Sequence, residues 1–438
     1  MRTTLRRALA LVVPAALVLG AVGPVAAADP GVTLVGQGSI PGNGLDKSGL
    51  TGNLCQASSP TTCVPAAIFG GFGSDIDYSG FDGVYVAAPD RGPFDGLTDK
   101  PYIDRLDYLH ISLDLAGDPA SNIATTLLDT RLMHDTDGDP LVGAAGAFDD
   151  RFDPEGIRVS STGTLFVSDE YGPYIVEMDR QGNVLRRIAV PADFAIANPS
   201  ADPTAELTGN TSGRQANRGM EGLAISPDGT TLFGIMQNAL LQDNALTPGT
   251  VDRVSVYTRI LRIDLATGAT EEYVYPLVAA SRGQGVSEIL AINDDELLVL
   301  ERDNRSRLQT PPQDPTRKQI WKIDLTGATD VSDVTLPATG ALPTGVQAVS
   351  KAPFINLLDP VYGLFDTVPE KLEGLTWGPD LPDGRHLLYV VSDNDLTPTL
   401  PTRIFAFAVD DEQAAVQAST HTGPLFSPGQ LKKLLAGR

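Results

Sequence analysis

The sequence has few of the residues on which common catalytic sites depend. Its 438 residues include four histidines and two cysteines. It has no zinc-type Cys/His spacing, no Gly-x-Ser-x-Gly elbow and no phosphate-binding Walker loop. His110 and His386 fall in predicted strands, so a histidine-dependent triad is disfavoured. If the protein is an enzyme, acidic residues and a metal-activated water are the machinery that remains.

Positive charge is also scarce. The formal net charge is −23, with 55 acidic residues against 32 lysines and arginines. Such a surface is not expected to bind nucleic acid or an anionic membrane, and it suits hard cations such as calcium. We expect a monomer that acts on a small anionic or ester substrate.

Long apolar runs are absent after the N-terminus, so no membrane span is predicted. Residues 1–28 combine three early arginines, an apolar run and the small residues Ala26-Ala27-Ala28. This pattern is typical of a secretory signal peptide and predicts a secreted or extracytoplasmic protein. The remainder divides into a domain over residues 29–410 and a C-terminal tail over 411–438.

A repeated unit is what the sequence does contain. Residues 152–190 read as four short strands separated by Gly, Asn, Asp and Ser turns, the content of one propeller blade. Similar units begin near residues 74, 221, 287 and 373. Five copies predict an all-β propeller, and three insertions leave room for a sixth, degenerate blade.

The last repeat has only three clear strands. Residues 32–40 form a lone predicted strand near the N-terminus. We therefore predict that this strand completes the last blade and closes the ring, which removes the open sheet edge. Cys55 and Cys63, which lie between this strand and the first repeat, are predicted to form a local disulfide in an exported chain.

Most repeats begin with a Glu-Gly pair and place an acidic cluster at the end of the second strand. Because these two points meet at one end of an antiparallel hairpin, the acids should surround one mouth of the central channel. Converging carboxylates repel each other unless a cation neutralises them, so we predict calcium there. The predicted metal ligands are Glu155, Glu221, Glu288, Glu301, Asp303 and Glu373.

Catalytic and substrate-binding roles follow from the same loops. Asp169 and Glu170 end the second strand of the second repeat, and either could act as general base. Arginines bind anions bidentately, and four stand in or beside the acidic motifs. These candidates are Arg91, Arg218, Arg302 and Arg305. The alternative for each arginine is a structural pair with the neighbouring acids.

The motifs DPEGI (153–157), SDEYGPYI (168–175), NRGMEGLAISPDG (217–229), VSEILAI (286–292), ERDN (301–304) and EGLTWGPD (373–380) carry a family resemblance. Over residues 66–410 the chain resembles the bacterial "esterase-like activity of phytase" family, the phytase-like domain. The resemblance implies an exported β-propeller with ester or phosphoester hydrolase activity, and it supports roles for the acidic residues of these motifs.

Two further functions remain open at this point. One is a non-catalytic, calcium-stabilised propeller that binds a cell-wall component or a protein through its loops. The other is a lactonase, because gluconolactonase-type propellers also place a Glu-Gly glutamate at a channel metal.

Overall fold

Alternating runs of β-branched and aromatic residues become the strands of five four-stranded antiparallel sheets. The computed structural model describes residues 31–81, 83–143, 151–172, 174–279, 284–417 and 425–436. The predicted signal peptide lies outside these ranges. Within them the chain is a five-bladed propeller, and no sixth blade is found in the described parts of the insertions.

The first blades follow an N-terminal segment of five strands. This segment contains β1 (Val32–Ile40), β2 (Gly44–Leu45), β3 (Asn53–Gln56), β4 (Ser59–Pro65) and β5 (Ile68–Phe69). Blade 1 and its insertion contain β6 (Asp75–Tyr78), β7 (Val84–Ala88), β8 (Tyr102–Ile103), β9 (Arg105–Leu113), β10 (Ile123–Leu132) and β11 (Val142–Gly143). Blade 2 contains β12 (Pro154–Val159), β13 (Leu165–Asp169), β14 (Tyr174–Met178) and β15 (Val184–Ile188).

The remaining blades repeat the same strand order. Blade 3 contains β16 (Met220–Ile225), β17 (Thr231–Met236), β18 (Tyr257–Asp264) and β19 (Thr270–Pro276). Blade 4 contains β20 (Gln284–Ala291), β21 (Glu296–Asp303), β22 (Lys318–Asp324) and β23 (Ser350–Asn356). Blade 5 contains β24 (Lys371–Trp377), β25 (His386–Asp393) and β26 (Thr402–Val409). The α-helices are α1 (Pro203–Gly209) and α2 (Pro428–Leu435), and short 3-10 turns span Pro93–Gly96, Ala192–Phe194, Leu241–Asp243 and Pro360–Tyr362.

The ring closes as the sequence predicts. β1 pairs antiparallel with β26 over Val32–Ile40 and Thr402–Val409, so blade 5 takes its outer strand from the N-terminus. The inner strands β6, β12, β16, β20 and β24 contact one another in turn around the channel. This pairing covers the edge that β26 would otherwise expose and joins the two ends of the ring.

Two glycines show how tightly the inner strands pack. A Cβ on Gly156 would lie 2.7 Å from the backbone nitrogen of Leu223 in blade 3. A Cβ on Gly222 would lie 2.7 Å from Oε1 of Glu288 in blade 4. Neighbouring backbones approach so closely at these positions that only glycine fits, which explains the Gly of the Glu-Gly pair.

Two segments outside the blades are also fixed to them. The Cys55–Cys63 disulfide is present and joins β3 to β4, as predicted. The described end of the C-terminal tail returns to the propeller, where Phe426 and Leu431 pack into the core shared by blades 1 and 2. The ring of Phe426 meets that of Tyr108 edge to face, with centroids 5.1 Å apart.

Candidate functional site at the channel mouth

A β-bulge at the start of the inner strand sets the direction of the key glutamates. In blade 2 Pro154 pairs with Asp169 and Gly156 with Ser168, which leaves Glu155 as the extra residue. The same register shift leaves Glu221 extra in blade 3 and Glu373 extra in blade 5. Bulges re-aim a side chain, and here they bring the three glutamates to one cavity.

Glu288 does not join them, which corrects the prediction that it is a metal ligand at the same mouth. In blade 4 the shift falls between Val286 and Glu288, so Ser287 is the extra residue. Glu288 takes the register position that Gly156 and Gly222 occupy in their blades. The Ser287-Glu288 pair is therefore shifted by one residue relative to the Glu-Gly pairs of the other blades.

Glu288 instead belongs to a charge cluster inside the channel, formed by Asp75, Arg158 and Glu288, which we call the channel plug. Arg158 Nη1 donates to Asp75 Oδ2 at 2.8 Å, and Nη2 lies 3.3 Å from Glu288 Oε1. The guanidinium also donates to the carbonyls of Ile289 at 3.0 Å and Leu375 at 3.4 Å. One arginine thereby links inner strands of four blades.

The mouth itself is a polar cavity of about 330 Å³. Residues in its wall come from the starts of the first strands and the ends of the second strands of the blades. These two points lie at the same end of each antiparallel hairpin. The lining residues are Asp90, Arg91, Asp95, Glu155, Glu170, Asn217, Arg218, Glu221, Gln237, Arg302, Asn304, Lys371 and Glu373. Six carboxylates face four cations, so the wall carries a formal excess of two negative charges.

Three buried carboxylates converge in this cavity: Glu155, Glu170 and Glu221, which we call the mouth cluster. Each offers an oxygen that lies within 4.8 Å of the others. Both carboxylate oxygens of Glu170 and Oε2 of Glu221 are buried without a hydrogen-bond partner among the described residues. Burial, followed by repulsion from neighbouring carboxylates, raises the pKa of Glu155 and of Glu221 well above the usual range.

Arg91 and Lys371 are held at the edges of the mouth by other acids. Arg91 Nη1 donates to Asp153 Oδ2 at 2.9 Å and lies 3.6 Å from Glu170 Oε2. Lys371 Nζ donates to Asp393 Oδ2 at 3.1 Å and also pairs with Asp395. These partners fix both cations before any substrate arrives.

The other two cations are oriented within the cavity. Arg302 pairs with Glu373 and donates to Asn304 Oδ1 at 2.9 Å, while its buried Nε has no hydrogen-bond partner among the described residues. Arg218 donates to Gln237 Oε1, and Gln237 in turn donates to Glu221. Burial lowers the pKa of Arg218. Three of the four predicted arginines therefore line the mouth.

The fourth, Arg305, is exposed and stands outside the residues that line the cavity. Asp169 has a structural role, because it accepts hydrogen bonds from the backbone N–H groups of Asp153 at 2.9 Å, Tyr171 at 3.1 Å and Gly172 at 2.6 Å. Its carboxylate holds the loop that carries Glu170. The structure therefore separates the two acids that were predicted as alternative bases.

Glu301 and Asp303 also lie away from the mouth, which corrects the expectation that they surround it. Glu301 accepts a hydrogen bond from Tyr275 at 2.8 Å and pairs with Lys351, between blades 3 and 4. Asp303 Oδ1 lies 3.2 Å from Lys318 Nζ, and its Oδ2 accepts from the backbone of Thr316 at 2.6 Å. Alternation along β21 sends these side chains to structural pairs.

A sequence model of the phytase-like family, described as "Esterase-like activity of phytase", matches residues 67–396. This match covers most of the chain. The chain belongs to the phytase-like family.

A curated relative of this phytase-like protein comes from a fungus, so the word "bacterial" in the resemblance is not supported. It is an "Uncharacterized secreted protein" of Arthroderma benhamiae, 28% identical in sequence. The match covers 62% of this chain and 63% of the relative. Within the described part of the phytase-like chain, no helix is long and apolar enough to cross a membrane.

Two solved propellers are distantly similar. The PQQ-bound aldose sugar dehydrogenase of Streptomyces coelicolor has a TM-score of 0.32 at 12% identity, covering 86% of this chain and 98% of its own. Virginiamycin B lyase of Staphylococcus aureus has a TM-score of 0.31 at 10% identity, covering 86% and 100%. At these scores the likeness carries no argument about function.

The chemistry of the mouth cluster fits a hard divalent cation. Calcium takes carboxylate, carbonyl and amide oxygens, and the cluster offers carboxylate oxygens that are buried and unpartnered among the described residues. When all of its acids are ionised, the cavity wall carries an excess of two negative charges, which one such ion would balance. Glu155, Glu170 and Glu221 are the residues of this phytase-like chain that would hold it.

Sequence reasoning assigned no role to three residues that matter at the site. Asp90 lines the mouth, and burial raises its pKa to about 7. Lys371 lies two residues before Glu373, and Asp153 lies two residues before Glu155. The sequence does contain a signal for the last two, because each lies two residues before a bulged glutamate.

Proposed function

We propose that this phytase-like protein is a secreted hydrolase that cleaves ester or phosphoester bonds at the channel mouth, with a divalent cation, calcium by preference. The observation that carries the proposal is Glu170: a fully buried carboxylate whose two oxygens have no hydrogen-bond partner among the described residues, held among Glu155, Glu221 and Arg91. A purely structural acid would be expected to have its hydrogen bonds satisfied.

A bound cation would polarise the substrate oxygen and favour ionisation of a water. Glu170 would give one oxygen to the cation and would accept a proton from the attacking water with the other. Arg218 and Arg302 would bind the anionic oxygen of the substrate, because both point donors at the same cavity as the cluster. Arg91, anchored by Asp153, would keep Glu170 oriented.

Asp90 would complete the proton transfers. With its pKa raised to about 7 by burial, it is partly protonated near neutral pH and would donate to the leaving oxygen. The water oxygen bonds to the acyl carbon or phosphorus, the bond to the alcohol oxygen breaks with its electron pair, and that oxygen takes the proton. An acid and an alcohol result.

The test is hydrolysis of p-nitrophenyl phosphate and p-nitrophenyl acetate by the mature protein, with calcium and then with EDTA. We expect activity with calcium that EDTA and Glu155→Gln each abolish. Glu271→Gln is the matched control, because Glu271 is a half-exposed acid on the outer strand of blade 3. Activity that survives both EDTA and Glu155→Gln would contradict the proposal.

A non-catalytic, calcium-stabilised propeller is the second candidate. It is favoured by the fixed pairs of Arg91, Arg302 and Lys371, since these cations are already neutralised. Under this alternative, calcium raises the melting temperature while neither ester is hydrolysed. The same assay, run together with thermal unfolding, separates the two functions.

A further inference from the structure

We propose that the mouth is the junction of two substrate-binding arms, one for each side of the scissile bond. The favoured substrates are then esters or phosphodiesters with a sizeable organic group on both sides, in preference to compact phosphomonoesters. This inference rests on the proposed hydrolase function and names its substrate class.

The first arm is a cavity of about 380 Å³ that shares Arg91, Asp95 and Asn217 with the mouth. Beyond them its wall is formed by Tyr171 and by the segment that leads into α1, including Ala201 and Pro203. Tyr171 adjoins Glu170 in the chain, so this arm begins directly at the mouth cluster. We call it the α1 arm.

The α1 arm combines apolar surface with one distinctive cation. The guanidinium of Arg151 lies over the ring of Tyr171, and its buried Nε has no hydrogen-bond partner among the described residues. An aromatic face with a guanidinium upon it binds flat, electron-rich or anionic groups. The arm therefore suits an aromatic or carboxylate-bearing group.

The second arm is larger, about 660 Å³, and shares Asp95, Asn304 and Lys371 with the mouth. Its outer wall is the disulfide-linked hairpin, through Thr62 and Val64, opposite the loop at 396–399. We call it the hairpin arm. Away from the mouth this arm is lined by threonine, proline and aliphatic side chains and by two acids, Glu370 and Asp395, so it disfavours an anionic group.

The turn at Pro93–Gly96 divides the arms and is held in an unusual backbone conformation. Phe94 has φ 60° and Asp95 has φ 56°, and across the hairpin arm Asp395 and Leu396 have φ 53° and 48°. Two consecutive bulky residues in the left-handed backbone conformation are strained, and such a conformation persists only where the surrounding contacts hold it in place. Phe94 and Leu396 pack into one apolar cluster with the hairpin, which fixes the divider at the mouth.

The charges of the site favour the same substrates. Each cation at the mouth already contacts an acid or an amide, and one divalent ion would only balance the formal excess of two negative charges on the wall. A polyanion would meet little free positive charge there, whereas a diester brings one negative charge and a carboxylic ester brings none. Hydrolysis would leave the acid product in one arm and the alcohol product in the other.

The experiment compares bis(p-nitrophenyl) phosphate with p-nitrophenyl phosphate on the calcium-loaded protein and on variants that fill one arm. Ala201→Trp would fill the α1 arm and Thr399→Trp the hairpin arm, and both positions are exposed. Thr204→Trp is the control, because Thr204 is exposed on α1 but does not line the arm. We expect the diester to have at least a tenfold higher kcat/KM, and each filled arm to remove most of that advantage.

Equal kcat/KM for both phosphates, or filled arms that lower both alike, would overturn the two-arm inference while leaving the hydrolase intact. If neither phosphate nor p-nitrophenyl acetate is cleaved, the proposed function fails. Whenever the phosphates are not cleaved, calorimetric titration with the diester tests the two arms independently of activity. The wild-type protein should then bind the diester at least tenfold more tightly than the Ala201→Trp and Thr399→Trp variants. Equal affinities would reject the arms.

Discussion

Two charge clusters lie at different depths of the same channel, and they differ in how their charges are balanced. The channel plug places Arg158 between two acids and several carbonyls, so its acids surround a cation of the protein itself, although Arg158 Nε and Glu288 Oε2 have no hydrogen-bond partner among the described residues. The mouth cluster gathers Glu155, Glu170 and Glu221 and leaves three of their oxygens without a hydrogen bond from the described part of the chain. Acids that already surround a cation of the protein need no other, whereas acids that converge with no cation between them are suited to bind one.

The largest expected effect is loss of activity in Glu170→Gln. The amide keeps the shape of the side chain but cannot accept a proton, so kcat should fall by about 10²–10⁴-fold. Because the substitution also removes repulsion inside the cluster, the melting temperature measured in EDTA should not fall. The p-nitrophenyl ester assay and thermal unfolding measure the two effects. A variant that loses stability and keeps its activity would place Glu170 among the structural acids instead.

Removal of the Arg158 charge from the channel plug should instead lower the stability of the protein. Arg158→Met leaves Asp75 and Glu288 buried without their counter-charge, and we expect a loss of about 3–5 kcal/mol in the free energy of unfolding. Urea denaturation measures it. The partly exposed Arg385 provides the control through Arg385→Met.

The triple variant Asp75→Asn, Arg158→Met, Glu288→Gln sharpens this prediction. It removes all three charges together, so it should recover part of the stability that Arg158→Met loses. If Arg158→Met unfolds at the urea concentration of the wild type, the plug does not support the ring.

The pH dependence of stability and of calcium binding should distinguish the mouth cluster from the channel plug. Burial raises the pKa of Glu155, Glu221 and Asp90, the last to about 7, so the folded protein holds protons that the unfolded chain releases. The stability that these protons provide is complete below the unfolded pKa of about 4 and is lost as pH rises through the folded pKa. In EDTA, the melting temperature should therefore fall between pH 5 and pH 8.

Calcium should reverse this trend, because it replaces the protons. Its affinity should rise about tenfold per pH unit for each proton that it displaces. Calorimetric titration at pH 5, 6, 7 and 8 measures the slope. A calcium affinity that does not change with pH would place the ion away from the mouth cluster.

Much of this architecture could be predicted from the sequence, because strand count and hairpin geometry are local properties. Three strands in the last repeat and a lone strand at 32–40 predicted the closure that β1 and β26 make. The hairpin argument likewise predicted Glu155 and Glu221 at one mouth. Glu288 was misplaced because a β-bulge shifts the register by one residue without a distinct sequence signal.

The loop residues were harder to predict for a related reason. Where a loop turns back depends on tertiary contacts, such as those by which Asp303 holds the backbone of Thr316. Sequence proximity to an acidic motif therefore grouped Arg302 with Arg305, although only Arg302 faces the cavity. Asp153 and Lys371 were missed because each acts through a residue on another loop.

The smallest expected effect separates these two arginines. Arg302→Ala removes a cavity donor and leaves Glu373 without its partner, so kcat/KM should fall by about tenfold or more, in line with the ~1.5–3 kcal/mol of a charged hydrogen bond. Arg305→Ala changes an exposed side chain outside the lining residues, so kcat/KM should stay within about twofold and stability within about 0.5 kcal/mol. Both are measured with the p-nitrophenyl esters and urea denaturation. Equal losses in the two variants would mean that the loop after β21 folds over the mouth when substrate binds, because an exposed arginine would then have reached the substrate.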